Sequence, residues 1–450
     1  MTAPLAAWFL STEERDNPDT LIDRRHANAS SWSDGNDLRT LVHGVAYFEE
    51  LLACIRATRA GDVVMFTDWR GDPDERMDEQ AGSGAQVGQV LAAAAGRGVF
   101  VRGLVWRSHL DKLRFSAREN RHLGEEIDAA GGECRLDMRV RPLGSHHQKL
   151  VVLRHPGRPE EDVAFVGGID LCHSRRDDAR HGGDPQAQPM AHAYGLRPPW
   201  HDIQLAIKGP AVGDVEASFR ERWDDPTPLS RNPLRVIKDR VRGDSPTRPA
   251  LPPQLADPAP AGPHAVQLLR TYAVRRPGYP FARRGERSIA RGYAKVLGLA
   301  TALIYLEDQY LWSVEAAELV AKALTRAPDL LLIAVIPRRP DQDGPVSTPP
   351  NLVSRERVLR ILYEAGGDRV SVYGLENHAS TPVYVHAKVC SIDDTWLSVG
   401  SDNLNRRSWT HDSEITCAVL SGTDPSPLAR ELRLQLAQEH LDLPDMESAR

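Results

Sequence analysis

The chain lacks the features that would send it to nucleic acid, to an oxidising compartment or through a bilayer. It has no basic excess: 56 Lys and Arg stand against 62 Asp and Glu among 450 residues, a net charge of −6, which is not the electrostatic footprint of a non-specific nucleic-acid binder. Aromatic residues make up only 6% of it. Cysteine is scarce too. Cys54, Cys134, Cys172, Cys390 and Cys417 are odd in number, scattered, and form no CxxC pair, so no zinc ribbon or redox motif is present and reduced, structural thiols are expected. No apolar run approaches the roughly 18 residues of a membrane span. The start, MTAPLAAWFLSTEERDNPD, has a short apolar stretch, no basic lead, and acids where a cleavage site would stand, so it reads as a poor signal peptide. The expectation is a soluble, cytoplasmic protein.

What the chain does have is enough apolar residue, 41%, to fill real cores, and a length beyond what one core usually serves. The stretch from 226 to 263 contains PTPLS and GDSPTRPALPPQLADPAPAGP, a Pro-rich linker composition. It divides the chain into 1–225 and 264–450. In each part helical periods alternate with strand-like runs: FEELLACIRATRAG before VVMFTDW and AQVGQVLAAAAGRG before VFVRGLVW in the first; RSIARGYAKVLGLAT before ALIYLEDQYLW and RERVLRILYEAGG before VSVYG in the second. Such alternation predicts an α/β fold with mixed sheets flanked by helices.

The two parts also share an ending. His147-Gln-Lys149, VAFVGG and DIQLAIKG in the first correspond to His386-Ala-Lys388, LSVGS and EITCAVL in the second, 239 residues later. If each HxK lies in a strand, its His and Lys project to one side, a titratable nitrogen beside a fixed cation. A lone HxK is commonplace. Two copies, each followed by a small-residue turn at Gly167-Gly168 or Gly400-Ser401, suggest half-sites meeting at a domain interface. The second copy is the more complete: His386, Lys388, Asp393, Gly400, Ser401, Asn403 and Asn405.

This pattern resembles the phospholipase D superfamily, whose signature is HxK, four residues, Asp, six residues, G(G/S). SHHQK, FVGGIDLC with Arg175-Arg176-Asp177 after it, PWHDIQLAIKGPAVGDV, GERSIA, IYLEDQYLW, VYVHAK and HDSEI look like the eukaryotic-type enzymes, plant ones especially, in the family's order. The resemblance implies two pseudo-twofold-related α/β sandwich lobes with one active site at their interface. It implies His147 as nucleophile and His386 as general acid, with near-symmetry leaving the order open, and Lys149, Lys388 and Asn403 on the phosphate oxygens. Asp170, opposite Asn403 in the repeat, would orient rather than donate. The family holds the second nitrogen of each His with a carboxylate downstream of that HxK, and matching motifs place Asp202 in the first half and Glu414 in the second. Trp69, Gln309 and Tyr310, with Trp312, fall where the family builds its pocket. Asp393 has the opposite strand parity from His386 and should brace a loop by ion pairing, and Cys390 should be a buried thiol.

The implied activity is hydrolysis of a glycerophospholipid to phosphatidic acid and free head group through a phosphohistidine, with transphosphatidylation to alcohols. The alternatives are a cardiolipin-synthase-like phosphatidyltransferase, a nuclease of the same superfamily, or a non-catalytic binder that kept the fold. No cofactor or metal is required by this chemistry, calcium stimulation being left open. The expected partners are phospholipid at a membrane surface, with the protein peripheral to it, and a water or alcohol acceptor; no nucleic acid is expected, and a monomer is. One departure stands out. Where the first copy of the signature expects Asp, the chain has Arg154, followed by HPGRPEE and Asp162. The expectation is two strands joined by a long hairpin, whose irregular surface loop at Pro156, Gly157 and Pro159 removes a brace and spares the catalysts, since closure entropy grows slowly with loop length.

Overall fold

A computed structural model of the chain describes residues 5–26, 30–108, 117–230, 237, 250–343, 348–421 and 427–450; of the Pro-rich linker, 231–236 and 238–249 lie outside the described residues. The helical periods form as their apolar spacing predicts. Phe48, Leu51, Leu52 and Ile55 are all buried on the helix His43–Ala57, and the following strand, Val63–Asp68, is buried at every position because both faces of its sheet are covered.

Seven strands from each half follow one order. In the first half the sheet runs Ser33–Val42, Ile203–Lys208, Val163–Gly167, Leu150–Arg154, Val63–Asp68, Phe100–Trp106 and Glu133–Asp137. In the second it runs His264–Tyr272, Glu414–Ser421, Trp396–Gly400, Val389–Ile392, Leu303–Glu307, Leu331–Val335 and Val370–Tyr373. In both, every junction is antiparallel except the last two, which are parallel and spanned by crossover helices such as Val87–Gly96 and Val314–Arg326. Pairing of Ser33 with Val266 and Asn36 with His264 joins the half-sheets edge to edge.

The half-sheets also meet face to face. Val152, Val166 and Leu205 of the first half share a core with Val399, Ile415 and Cys417 of the second, and the helices Ala211–Trp223 and Pro427–His440, which follow equivalent strands, add Phe219 and Leu432. Separate outer cores lie under the crossover helices of each half. Phe9 and Leu10 belong to the outer core of the second half, where the Leu10 amide donates to Gln267 Oε1 at 2.9 Å, so the start of the chain packs on its distal part. Among the described residues no helix is long and apolar enough to cross a membrane.

The interrupted signature of the first half resolves into an ordered hairpin. Arg154 is 1% exposed, its Nε donates to Asp162 Oδ2 at 2.8 Å, and its Nη1 pairs with Glu216; Asp162 Oδ1 accepts the His155 amide at 2.6 Å. The residue in the place of the signature Asp is therefore a buried strand residue, and only the turn after it is a loop. In the second half Asp393 accepts the amides of Thr301, Ala302 and Leu303, each at 2.8 Å. It braces the entry to the strand Leu303–Glu307 by main-chain hydrogen bonds, not by the expected ion pair. The strand-entry position of the first half is served the other way round: Arg158, from the longer turn, reaches Asp62 at 2.7 Å. Removing Asp162 leaves Arg154 with Glu216 as its remaining acid and takes the acceptor from the buried His155 amide, so the cost is about 2 kcal/mol, below that of a fully unpaired buried charge. Asp162→Ala should lower the unfolding free energy in urea by that amount with kcat/KM per folded molecule unchanged.

Candidate active site

Neither HxK lies inside a strand. Each forms the extended entry to one, Leu150–Arg154 or Val389–Ile392, and each runs beside the other half of the molecule. Tyr384 and Val385 pair in parallel with Trp200 and His201, and the His386 amide donates to His201 O at 2.7 Å, which brings His386 next to Asp202. Likewise the His147 amide donates to Ser413 O at 2.9 Å, which brings His147 next to Glu414.

The carboxylates are consequently exchanged between halves. His147 Nδ1 lies 2.9 Å from Glu414 Oε2, and His386 Nδ1 lies 2.6 Å from Asp202 Oδ2. The pairing of each His with the acid downstream in its own half is corrected: the acid comes from across the interface. Glu414 is fixed in turn by the Ser401 hydroxyl at 2.5 Å, and Asp202 by the Ile203 amide at 2.9 Å. A carboxylate on Nδ1 sets the tautomer and leaves Nε2 for chemistry.

Both imidazoles open into one cleft of about 670 Å³, together with Asp170, Asn403, Glu414, Trp69, Gln309, Tyr310 and Trp312. The two lysines lie beneath it, against the lining residues Asp170 and Gln309. Lys149 is 1% and Lys388 3% exposed. Lys149 Nζ donates to His147 O at 3.0 Å and lies 3.4 Å from Asp170 Oδ1; Lys388 Nζ donates to His386 O and to Gln309 Oε1, the latter at 3.2 Å. Asp170 Oδ1 also accepts the amides of Trp69 and Arg70 at 3.1 and 3.3 Å, whereas the buried Asn403 Oδ1 has no partner among the described residues. Asp170 therefore serves its own lobe, and Asn403 faces the cleft. Cys390 is fully buried, and burial pushes its thiol well above the ordinary value.

Burial, then the neighbouring ammonium of Lys149 or Lys388, holds both imidazoles well below the usual histidine value. Each is therefore uncharged near neutral pH, the form that can attack phosphorus or accept a proton. Burial raises Asp202 and, with Asp412 nearby, pushes Glu414 up to about 8; it lowers Lys388 to about 8. A phosphate anion entering among these groups would relieve the crowding of positive charge.

Three contributors carried no assignment from the sequence although they fall in or beside motifs of the family pattern. The Trp200 ring packs 4.9 Å from His386, Tyr384 stacks 6.3 Å from it, and the Arg175 guanidinium lies 4.0 Å over Trp200. Trp69 meets His147 edge-on at 6.3 Å. The tryptophan of PWHD and the arginine after GGID were the available signals.

A second cluster, outside the cleft lining, was not anticipated. His43 Nε2 and His181 Nε2 lie 2.9 and 3.2 Å from Glu439, while His201 Nε2 and His440 Nε2 lie 2.6 and 2.7 Å from Glu307. As they stand these are hydrogen bonds that tie the C-terminal helix to the His201 segment. One ligating atom from each of His43, His181, His201 and Glu439 falls within 4.8 Å of the others, so the four could hold a metal ion. Three imidazoles and one carboxylate suit a zinc-class ion, whereas calcium takes six to eight oxygens.

A duplicated α/β sheet with two HxK segments, each running beside the other half, defines the class. A family model described as "Phospholipase D" matches residues 59–322, and one described as "Cardiolipin synthase, PLD-like domain" matches residues 346–437. The chain belongs to the phospholipase D family. It is 25% identical to "Phospholipase D alpha 1" of Cynara cardunculus over 82% of its own length and 60% of that protein, and 26% identical to "Phospholipase D alpha 2" of Arabidopsis thaliana over 83% and 60%. It thus spans about 60% of the length of these plant relatives. Among solved structures, phosphatidylserine synthase of Haemophilus influenzae Rd KW20 shares the fold at a TM-score of 0.59 and 12% identity, covering 90% of this chain and 86% of that one.

Proposed function

We propose that the chain cleaves a glycerophospholipid phosphodiester and passes its phosphatidyl group to water or an alcohol. The observation that carries this reading is the pair of His–carboxylate dyads, each built from both halves, opening into one cleft over two buried lysines. In the first step His147 Nε2 attacks phosphorus, the bond to the head-group oxygen breaks, and His386 gives that oxygen a proton. The bound phosphate anion raises the proton affinity of His386, which the lysines otherwise suppress. In the second step His386 takes the proton of water or alcohol, whose oxygen attacks phosphorus as the P–N bond to His147 breaks. Lys149, Lys388 and Asn403 hold the non-bridging oxygens as negative charge develops, and no cofactor is invoked in either step.

A transferase reading shares the first step and differs in the acceptor. It draws support from the cardiolipin-synthase-like match and from the named activity of the phosphatidylserine synthase with the same fold. Vesicles of phosphatidylcholine with the label in the phosphatidyl moiety, with and without ethanol or glycerol, discriminate the two. Labelled phosphatidic acid as main product in water, with phosphatidyl alcohol appearing on addition, is the expected result. Transfer without hydrolysis would favour the transferase. A protein that ignores phospholipids and cuts single-stranded DNA would overturn both.

A further inference from the structure

The repeat is broken at one place that lines the cleft. The second half offers the Asn403 side chain to the cleft, but at the equivalent position the first half has Asp170, whose oxygens already serve the Trp69 and Arg70 amides and Lys149. A carboxylate cannot donate to a phosphate oxygen. Five residues on, Arg175 comes back into the same cleft from the turn after GGID. Its guanidinium is laid over the Trp200 ring at 4.0 Å, and that ring packs on His386 at 4.9 Å.

Arg175 is built in but barely used. It is 9% exposed, the only hydrogen bond of its guanidinium among the described residues is a long one of 3.5 Å to His173 O, and its Nη2 stands 3.9 Å from Asp170 Oδ2, beyond hydrogen-bond reach. Its Nε is buried without a partner among those residues. Each of the two lysines, by contrast, already donates to a main-chain carbonyl. A buried guanidinium with most of its five donors unspent is costly until an anion fills them, and its planar fork matches a phosphoryl group.

We propose that Arg175 is a catalytic residue: it donates to a non-bridging oxygen of the phosphodiester, supplying from the first half the contact that Asn403 supplies from the second. This rests on the phosphodiester reading above. Asp170 then has a second purpose, offsetting the added cation so that Lys149 and Arg175 coexist in the empty cleft. The stack on Trp200 fixes the fork beside His386, on the side from which the head group leaves.

The test uses the whole chain and inorganic phosphate as probe. Arg175→Gln should weaken phosphate binding, followed by calorimetry and by competitive inhibition, at least tenfold, and lower kcat/KM about 100-fold, the loss typical of one oxyanion donor. Arg175→Lys keeps a cation over Trp200 and so preserves the packing, but it replaces the fork by a point charge; it should recover the melting temperature of wild type and only part of the phosphate affinity. Either variant binding phosphate as tightly as wild type overturns the assignment, as does a wild type with no phosphate affinity. A wild type that binds phosphate through Arg175 yet cleaves no phospholipid overturns the functional reading, and with it the catalytic role, and keeps only the phosphate contact.

Discussion

His147→Ala should reduce phospholipid turnover by about 10⁴-fold or more and abolish covalent labelling of the protein by a phosphorus-labelled substrate, because loss of a nucleophile leaves only binding and charge stabilisation. His386→Ala should be equally inactive on a choline-type leaving group and yet behave differently on an activated one. A p-nitrophenyl ester departs without a proton, so attack by His147 proceeds and the labelled phosphohistidine accumulates, since the second step still needs a base. The adduct is identified by its lability in acid and stability in alkali. The geometry is nearly symmetric: both imidazoles lie in the cleft, both meet a carboxylate, and both have a lysine two residues on. Label on His147→Ala and none on His386→Ala would therefore exchange the two roles. Unchanged activity in both would dismiss the site.

Asp202→Asn and Glu414→Gln should divide along the same line, and their division tests the exchange of carboxylates between halves. Glu414 orients His147 at 2.9 Å and Asp202 orients His386 at 2.6 Å. An isosteric amide at such a position leaves the fold intact and favours the wrong tautomer, a loss of up to about 10⁴-fold in the serine-protease triad. We expect about 10³-fold in kcat for each variant on an ordinary phospholipid, somewhat less than in that triad. With the p-nitrophenyl leaving group, formation of the covalent adduct should recover in Asp202→Asn, whose defect lies with the acid, and stay slow in Glu414→Gln, whose defect lies with the nucleophile. Where His147→Ala abolishes the label, and His147 is thereby the nucleophile, the opposite pattern would mean that each acid serves the His of its own half.

Much of this protein was legible in its residues one stretch at a time. The helix at His43–Ala57 and the strand at Val63–Asp68 follow from apolar spacing that any local segment carries. The repeated HxK, the small-residue turns and the family likeness named His147, Lys149, His386 and Lys388 before any fold was on view, and all four lie in or directly beneath the cleft. The misreading of Asp393 has a physical cause. Strand parity assigned Asp393 an ion pair, but a side chain turned from the site finds whatever main chain lies there, and it found three amides. The interrupted first signature, by contrast, was legible: two strands joined by a long hairpin did form, with Arg154 the last residue of the first of them.

Local pattern could say which residues carry chemistry, because side-chain type, periodicity and turn propensity are properties of neighbours in the chain. It could not say which acid meets which imidazole. Glu414 and His147 are 267 residues apart, Asp202 and His386 are 184 apart, and both contacts exist because two half-sheets pair edge to edge and pack face to face, laying each HxK along the other half's carboxylate motif. Packing likewise laid Arg175 over Trp200 and Trp200 against His386, and gathered four histidines with Glu307 and Glu439. Such encounters are set by the burial of apolar faces between distant segments, a non-directional force that leaves no spacing in the sequence to read.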